Sequence, residues 1–206
     1  MNKSRKNFSA VNLTVTALMV AFMAVSSYIN IPIPFAAITI TGQTLVVNLV
    51  GLLLSPCQAF ITMLIYWLLG LAGAPIFSGG TSGPARMLGP SGGYLVGFFL
   101  AAVLISLTKG KKRSIPRYLV STICVGMPTV YLVATVWLMA FASYPTWTSA
   151  IVSGALPFIP LDIVKCVAAC LMAVPILKAL DSFAPSRKIR KPDTEVETEP
   201  TENAEG

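Results

Sequence analysis

The stretch "LPFIPLDIVKC", residues 156–166, sets Asp162 and Lys165 three positions apart in an otherwise apolar run. Asp162 is the only acidic residue in the first 180 positions; the rest begin at Asp181. At i and i+3 of a helix two side chains share a face, so this pair can bond each other or converge on a cavity. On insertion scales, a lone Asp or Lys at a bilayer centre costs about 2.5–3.5 kcal/mol. Two readings follow. A helix beginning near Pro157 to Pro160 puts Asp162 in its first turn, where unsatisfied N–H groups and the helix dipole favour a carboxylate, with Lys165 as its partner. The other reading is a polar ligand site, since capping does not explain why Lys165 lies one turn deeper.

Other polar groups belong to the same inventory. The stretch "GAPIFSGGTSGPARMLGPSGGYLVGF", residues 73–98, is rich in Gly and Pro and has Arg86 as its single charge. Connections longer than about 12–15 residues are usually functional or disordered. Ile76, Phe77, Met87 and Leu88 predict an ordered loop folded over the end of a helix bundle. Tyr94 adds an aromatic face and a hydroxyl, either lining a site or anchoring at the membrane interface. In "ITITGQTLVVNLVGLLLSP", Gln43, Thr44 and Asn48 are either pocket-lining groups or partners in helix–helix hydrogen bonds. Ala10, Ala17, Ala21 and Ala24 form a small-residue stripe that lets a second helix approach closely.

The elements that must position these residues follow from composition. Of 206 residues, 55% are hydrophobic and only 11% are charged, with mean hydropathy +0.75. Soluble domains carry about a quarter charged residues, so most of this chain need not face water. Histidine is absent, which removes His-based acid–base chemistry and the commonest metal ligand. Cys57, Cys124, Cys166 and Cys170 lack zinc-type spacing; Cys166 and Cys170 are read as small buried thiols. There is no ATP-binding loop, no HExxH, no GxSxG and no pair of catalytic carboxylates. No catalytic residue, metal site or cofactor is expected, and the chain is not expected to be an enzyme.

Six apolar segments are long enough to span a bilayer, near 9–29, 38–55, 57–73, 92–108, 118–142 and 158–180. The fold class is therefore an all-α membrane protein with six transmembrane helices. Lys3, Arg5 and Lys6 precede the first segment; Lys109, Lys111, Lys112, Arg113 and Arg117 follow the fourth; five more basic residues occur from Lys178 onward, around "SRKIRK". With six spans these clusters fall on one side, which the positive-inside rule makes cytoplasmic, so both termini are cytoplasmic. Residues 1–181 form one membrane domain, and 182–206 a charged cytoplasmic tail whose composition predicts disorder. Anionic lipid is the partner for the basic clusters, which lack the aromatics and glycines of a nucleic-acid patch.

In the order "GQTLVVNLVGLLLSP", "GLAGAPIFSGG", "LGPSGGYLVGF" and "PFIPLDIVK", the sequence resembles the BioY family. These are the biotin-specific substrate-binding (S) components of energy-coupling factor (ECF) transporters. The family pattern reads QTL…GLLLGP, GLPVFAGG, LGPTGGYLxGF and FIPGDxxK, and the chain departs from it at Ser55, Ala74, Ser91 and Leu161. Leu161, bulky where the family has Gly, is expected to narrow the pocket or alter how the helix begins. The resemblance implies that Asp162 and Lys165 bind biotin, with Tyr94 against its bicycle and Arg86, Gln43 and Asn48 as further binding candidates. It also implies import across the cell membrane with a transmembrane coupling (T) protein and two ABC-type ATPases, docked through Ala17, Ala21 and Ala24. An S component for another vitamin, or a biotin carrier acting without ATPases, shares these features. An intramembrane enzyme using Asp162 and Lys165 as an acid–base couple is the alternative of a different class.

Overall fold

The structure, a computed structural model, describes residues 10–32, 39–110, 113–141 and 144–183. Lys3, Arg5, Lys6, Lys111, Lys112 and the tail beyond Phe183 lie outside the described residues, as does the expectation of tail disorder. The chain is mostly helical. Helix α1 (Ala10–Ser26) leads into a two-stranded antiparallel ribbon, β1 (Asn30–Ile31) with β2 (Ile40–Thr41). Then come α2 (Gln43–Leu53), α3 (Pro56–Leu71), short α4 (Pro84–Leu88) and α5 (Gly92–Thr108). Helix α6 (Ile115–Leu119), a π-helical turn (Val120–Gly126) and α7 (Met127–Phe141) form one continuous rod, followed by α8 (Trp147–Gly154) and α9 (Ile159–Phe183).

Local chemistry accounts for these boundaries. Ser55 caps α3, accepting from the Gln58 N–H while the Gln58 side chain accepts from the Ser55 N–H, and Pro56 stands at the first helical position. The π-helical turn ends just before Pro128, and the Met127 N–H reaches back five residues to the Thr122 carbonyl. A proline lacks a donor for the α ladder, and widening the turn before it lets the rod continue. Pro175 is carried inside α9.

One expectation needs correction. The segment read as a span over 38–55 is helical only for the eleven residues of α2. Just before it, Ile40 and Thr41, both β-branched, pair as β2, with Gly42 at the helix entry. The fold is nonetheless mostly helical, and the connection before α9 carries its own helix, α8, capped by Thr146 and Ser149. Among the described residues two helices, Ile115–Phe141 and Ile159–Leu180, are long and apolar enough to cross a membrane; four other apolar helices are 10–17 residues long.

Helix α5 sits at the centre, packed against α2, α3 and α7. Its glycines set the closest approach: a Cβ at Gly93 would lie 2.3 Å from the Trp137 Cβ, and one at Gly97 would lie 3.0 Å from the Val130 Cα. Only glycine permits that contact, which brings α7 and Tyr131 towards α2 and α9. Large apolar side chains also cover the outside, including Leu13, Phe22, Leu68, Leu104, Leu132, Val136, Val164 and Leu171. An apolar exterior of this extent suits a lipid environment.

The bundle has two unlike ends. The ribbon, the 72–91 connection and α8 gather at one, where the Tyr28 hydroxyl donates to the Pro75 carbonyl at 2.6 Å. At the other, Lys109 Nζ donates to the carbonyls of Leu52, at 2.8 Å, and Leu54 at the end of α2. Arg113, Arg117 and Lys178 belong to this same basic end, and Arg113 donates to the Leu177 carbonyl. Burial, with repulsion from Arg113 second, lowers the Lys109 ammonium from 10.5 to about 8. Between those values the unfolded chain holds the proton more often than the folded one, so this group's contribution to stability rises with pH. Thermal unfolding in detergent at pH 7, 8.5 and 10 should show that rise in the wild-type chain relative to Lys109→Met, with the two curves converging at high pH.

Candidate functional site

The site is built where β2, α2, α7 and α9 meet. Asp162 lies in the first turn of α9, its N–H bonded to the Phe158 carbonyl at 2.9 Å. Its side chain points inward and the residue is 8% exposed. Oδ1 accepts from Thr44 Oγ1 and from Lys165 Nζ, each at 3.0 Å, while Oδ2 accepts from the Tyr131 hydroxyl at 2.6 Å. Lys165 Nζ also donates to the Thr41 carbonyl at 2.8 Å and to Thr44 Oγ1 at 3.0 Å. Its three protons thus have three acceptors. Among the described residues the carboxylate accepts from no backbone N–H of α9. Asp162 ties helices together across the bundle instead of capping its own, and Lys165 is indeed its ion-pair partner.

Three narrow cavities run along this cluster, each with room for little more than a water molecule. The one nearest the ribbon is lined by Thr41, Gln43, Phe77, Arg86, Tyr94 and Phe98, among others. The middle one touches Thr41, Thr44, Tyr94, Phe98, Tyr131, Asp162 and Lys165. The deepest is bounded by Thr44, Val47, Asn48, Met127, Tyr131, Asp162 and Cys166. Neighbouring cavities share walls: Thr41, Tyr94 and Phe98 separate the first pair, and Thr44, Tyr131 and Asp162 the second. A larger ligand must move these side chains to merge them.

All six residues singled out as binding candidates line this column, in different states. Arg86 faces the first cavity, and its Nε is buried without a hydrogen-bond partner. A buried donor left unpaired costs about 1–3 kcal/mol, and more when charged, so it calls for an acceptor. Tyr94 lines two cavities and its hydroxyl donates to the Gly154 carbonyl, which fastens α8 to α5. Gln43 is 1% exposed and donates to the Tyr66 hydroxyl at 2.6 Å. Asn48 donates to Cys166 Sγ at 3.4 Å, so it both joins helices and lines the deepest cavity. Cys166 and Cys170 are buried thiols, while Cys57 and Cys124 are exposed.

Leu161 does not narrow these cavities. It is 38% exposed and lines none of the three cavities, because the residue before Asp162 projects from another face of α9. Tyr131 and Thr41 are the groups the sequence reading missed. A tyrosine in "PTVYLVAT", one turn after Pro128 on an apolar helix, was the available signal; Thr41 contributes a backbone carbonyl, to which side-chain type is no guide. On α1, Ala17 and Ala21 are exposed and Ala24 is half-buried, whereas Met19, Val20 and Met23 face the core. Among the described residues, Ala17 and Ala21 therefore do not pack α1 against the core.

The BioY family profile matches residues 1–182. The chain is 36% identical over 177 residues to biotin transporter BioY2 of Lactococcus lactis subsp. cremoris, covering 85% of this chain and 94% of that one. It is 37% identical over 164 residues to the probable biotin transporter BioY of Pyrococcus horikoshii, covering 80% and 94%. Among solved structures, it is similar to the S-component for biotin from an ECF-type ABC transporter, with a TM-score of 0.72 and 29% identity over 81% of this chain and 90% of that one.

The charge pair has a stability consequence of its own. Removing one partner of a largely buried ion pair strands the other, whereas removing both strands neither. Lys165→Met should lower unfolding free energy in detergent by about 3 kcal/mol. The double variant Asp162→Asn/Lys165→Met should be less destabilised than that single one, as a double-mutant cycle by thermal or denaturant unfolding would report.

Proposed function

The chain belongs to the BioY family, and from that membership we propose that it is the biotin-binding S component of an ECF transporter, an integral protein of the plasma membrane that takes biotin into the cell. The observation that carries the assignment of its site is a pattern of polarity along one column of cavities. An unpartnered guanidinium N–H of Arg86 stands at one end, aromatic surface from Tyr94 and Phe98 follows, and the Asp162 cluster comes next. Biotin has the matching sequence of groups: a carboxylate, an apolar arm and bicycle, and a ureido ring with two N–H donors and one carbonyl.

In this reading Arg86 takes the carboxylate, which relieves its orphaned donor. Asp162 Oδ2, which has one hydrogen bond where Oδ1 has two, receives a ureido N–H. Lys165 turns one proton from the Thr41 carbonyl to the ureido oxygen. Tyr94 and Phe98 pack on the ring system, while Gln43 and Asn48 brace the walls. Tyr131 holds the acceptor oxygen in place.

We assign six spans to the membrane domain: α1, β2 together with α2, α3, α5, the α6–α7 rod and α9. The basic end bearing Lys109, Arg113, Arg117 and Lys178 is assigned to the cytoplasm by the positive-inside rule. The cavity column then opens towards the outside, as uptake requires, and residues 1–181 act as the membrane domain with the tail in the cytoplasm. The free alanine face of α1 is the docking surface for the coupling protein: small residues at 17 and 21 admit a close helix contact within lipid. Two ABC-type ATPases supply the ATP hydrolysis for which this sequence has no loop.

Calorimetric titration of biotin into the purified protein tests the reading. Asp162→Asn and Lys165→Ala should each weaken binding at least tenfold, about 1.4 kcal/mol. Arg86→Gln should weaken biotin at least tenfold yet leave the affinity for biotin methyl ester nearly unchanged. Wild-type affinity in a folded Asp162→Asn protein would refute the site, and absence of saturable biotin binding by the wild-type chain would refute the function.

A further inference from the structure

We infer that Phe77 is the end stop of the ligand site and sets the length of acyl arm that the site accepts; this rests on the biotin reading above. Phe77 belongs to the connection after α3, yet it is completely buried and lines the same cavity as Arg86. It stands at the end where the arm of the ligand terminates.

Its position follows from a notch in α3. A Cβ added at Gly70 would lie 2.2 Å from the Phe77 Cζ and 2.3 Å from Cε1, so the tip of the ring occupies the space a side chain would fill. Tyr66, one turn earlier, meets the ring edge to face with centroids 5.7 Å apart. The Tyr66 hydroxyl accepts from Gln43 and donates to the Ile76 carbonyl at 2.8 Å, joining the residue before Phe77 to the cavity wall.

The backbone that carries Phe77 is held independently of its ring. Phe77 N donates to the Thr81 carbonyl at 2.9 Å, and Gly80 N donates to the Phe77 carbonyl at 2.9 Å. Gly79, at φ +72°, donates to the Ser27 carbonyl at 3.0 Å, and Gly83 donates to the Gly70 carbonyl at 2.8 Å. Thr39 and Ser78 hydroxyls are 3.1 Å apart. With the turn fastened to α1, α3 and the ribbon side, shortening Phe77 leaves space at the Arg86 end instead of letting the loop fall inward. A residue that only filled the core would not alter which ligand length is preferred.

The test uses biotin and a homologue whose acyl arm is two methylenes longer, both retaining the carboxylate. One methylene beyond a close-fitting pocket is worth roughly tenfold or more. The wild-type protein should bind the longer homologue at least tenfold more weakly than biotin. Phe77→Ala should cut that preference by at least tenfold, chiefly by improving the homologue, and Phe77→Leu should fall between. Unchanged preference in variants that still bind biotin would overturn the inference, as would a wild-type protein indifferent to arm length. Loss of all binding in both Phe77→Ala and Phe77→Leu would also overturn it, because an end stop can be shortened without unmaking the rest of the site. If the wild-type chain binds no biotin, the functional reading itself fails and this inference goes with it; biotin binding with unaltered selectivity removes the end stop alone.

Discussion

One carboxylate and one ammonium enclosed in an apolar bundle must satisfy each other, and the structure is arranged around that requirement. Asp162 and Lys165 share the same helix, so their bond alone would tie nothing together. Thr44 makes the difference: its hydroxyl donates to Asp162 and accepts from Lys165, while the Thr41 carbonyl and the Tyr131 hydroxyl take up what remains. The result couples α9 to β2, α2 and α7 through charge-assisted bonds, which are about twice as strong as neutral ones. Misplacing any of these elements would expose an unpaired polar group to hydrocarbon.

That cluster depends on helices approaching closely where large side chains would hold them apart. The glycines of α5 bring α7 in, and the short ribbon turns the chain so that Thr41 can offer its carbonyl beside the start of α2. One of the helices that line the cavities, α2, is only eleven residues long. It is short because the preceding residues are spent on the ribbon, which serves the site more directly than another helical turn would.

Much of this was legible in the sequence because the bilayer imposes a coarse code. The rarity of acids made Asp162 conspicuous, the i, i+3 spacing tied it to Lys165, and the segments near 92–108 and 158–180 match α5 and α9 closely. Other features obeyed no such code. Ile40 and Thr41 adjoin a helical run, so hydropathy merges them with it, although their β-branching suits a strand. Tyr131 is an amphipathic residue in an apolar helix, and its partner is 31 positions away. Thr41 acts through its backbone, which composition does not encode. Leu161 was judged by its neighbour in sequence, whereas the helical turn directs consecutive side chains to different faces.

The full occupancy of the Lys165 protons bears on how a carrier empties. Were that ammonium bare in the vacant protein, losing the ligand would strand a cation in a medium of low permittivity, and discharge would be steeply uphill. Here the departing molecule hands each Lys165 proton back to an internal acceptor already within reach. Capture and discharge become an exchange of one set of partners for another, so the net free energy is a small difference and comes mainly from the shape and apolar surface of the cargo. Such a balance favours turnover: the cargo is recognised by fit, and the Lys165 ammonium keeps internal acceptors when the cargo leaves.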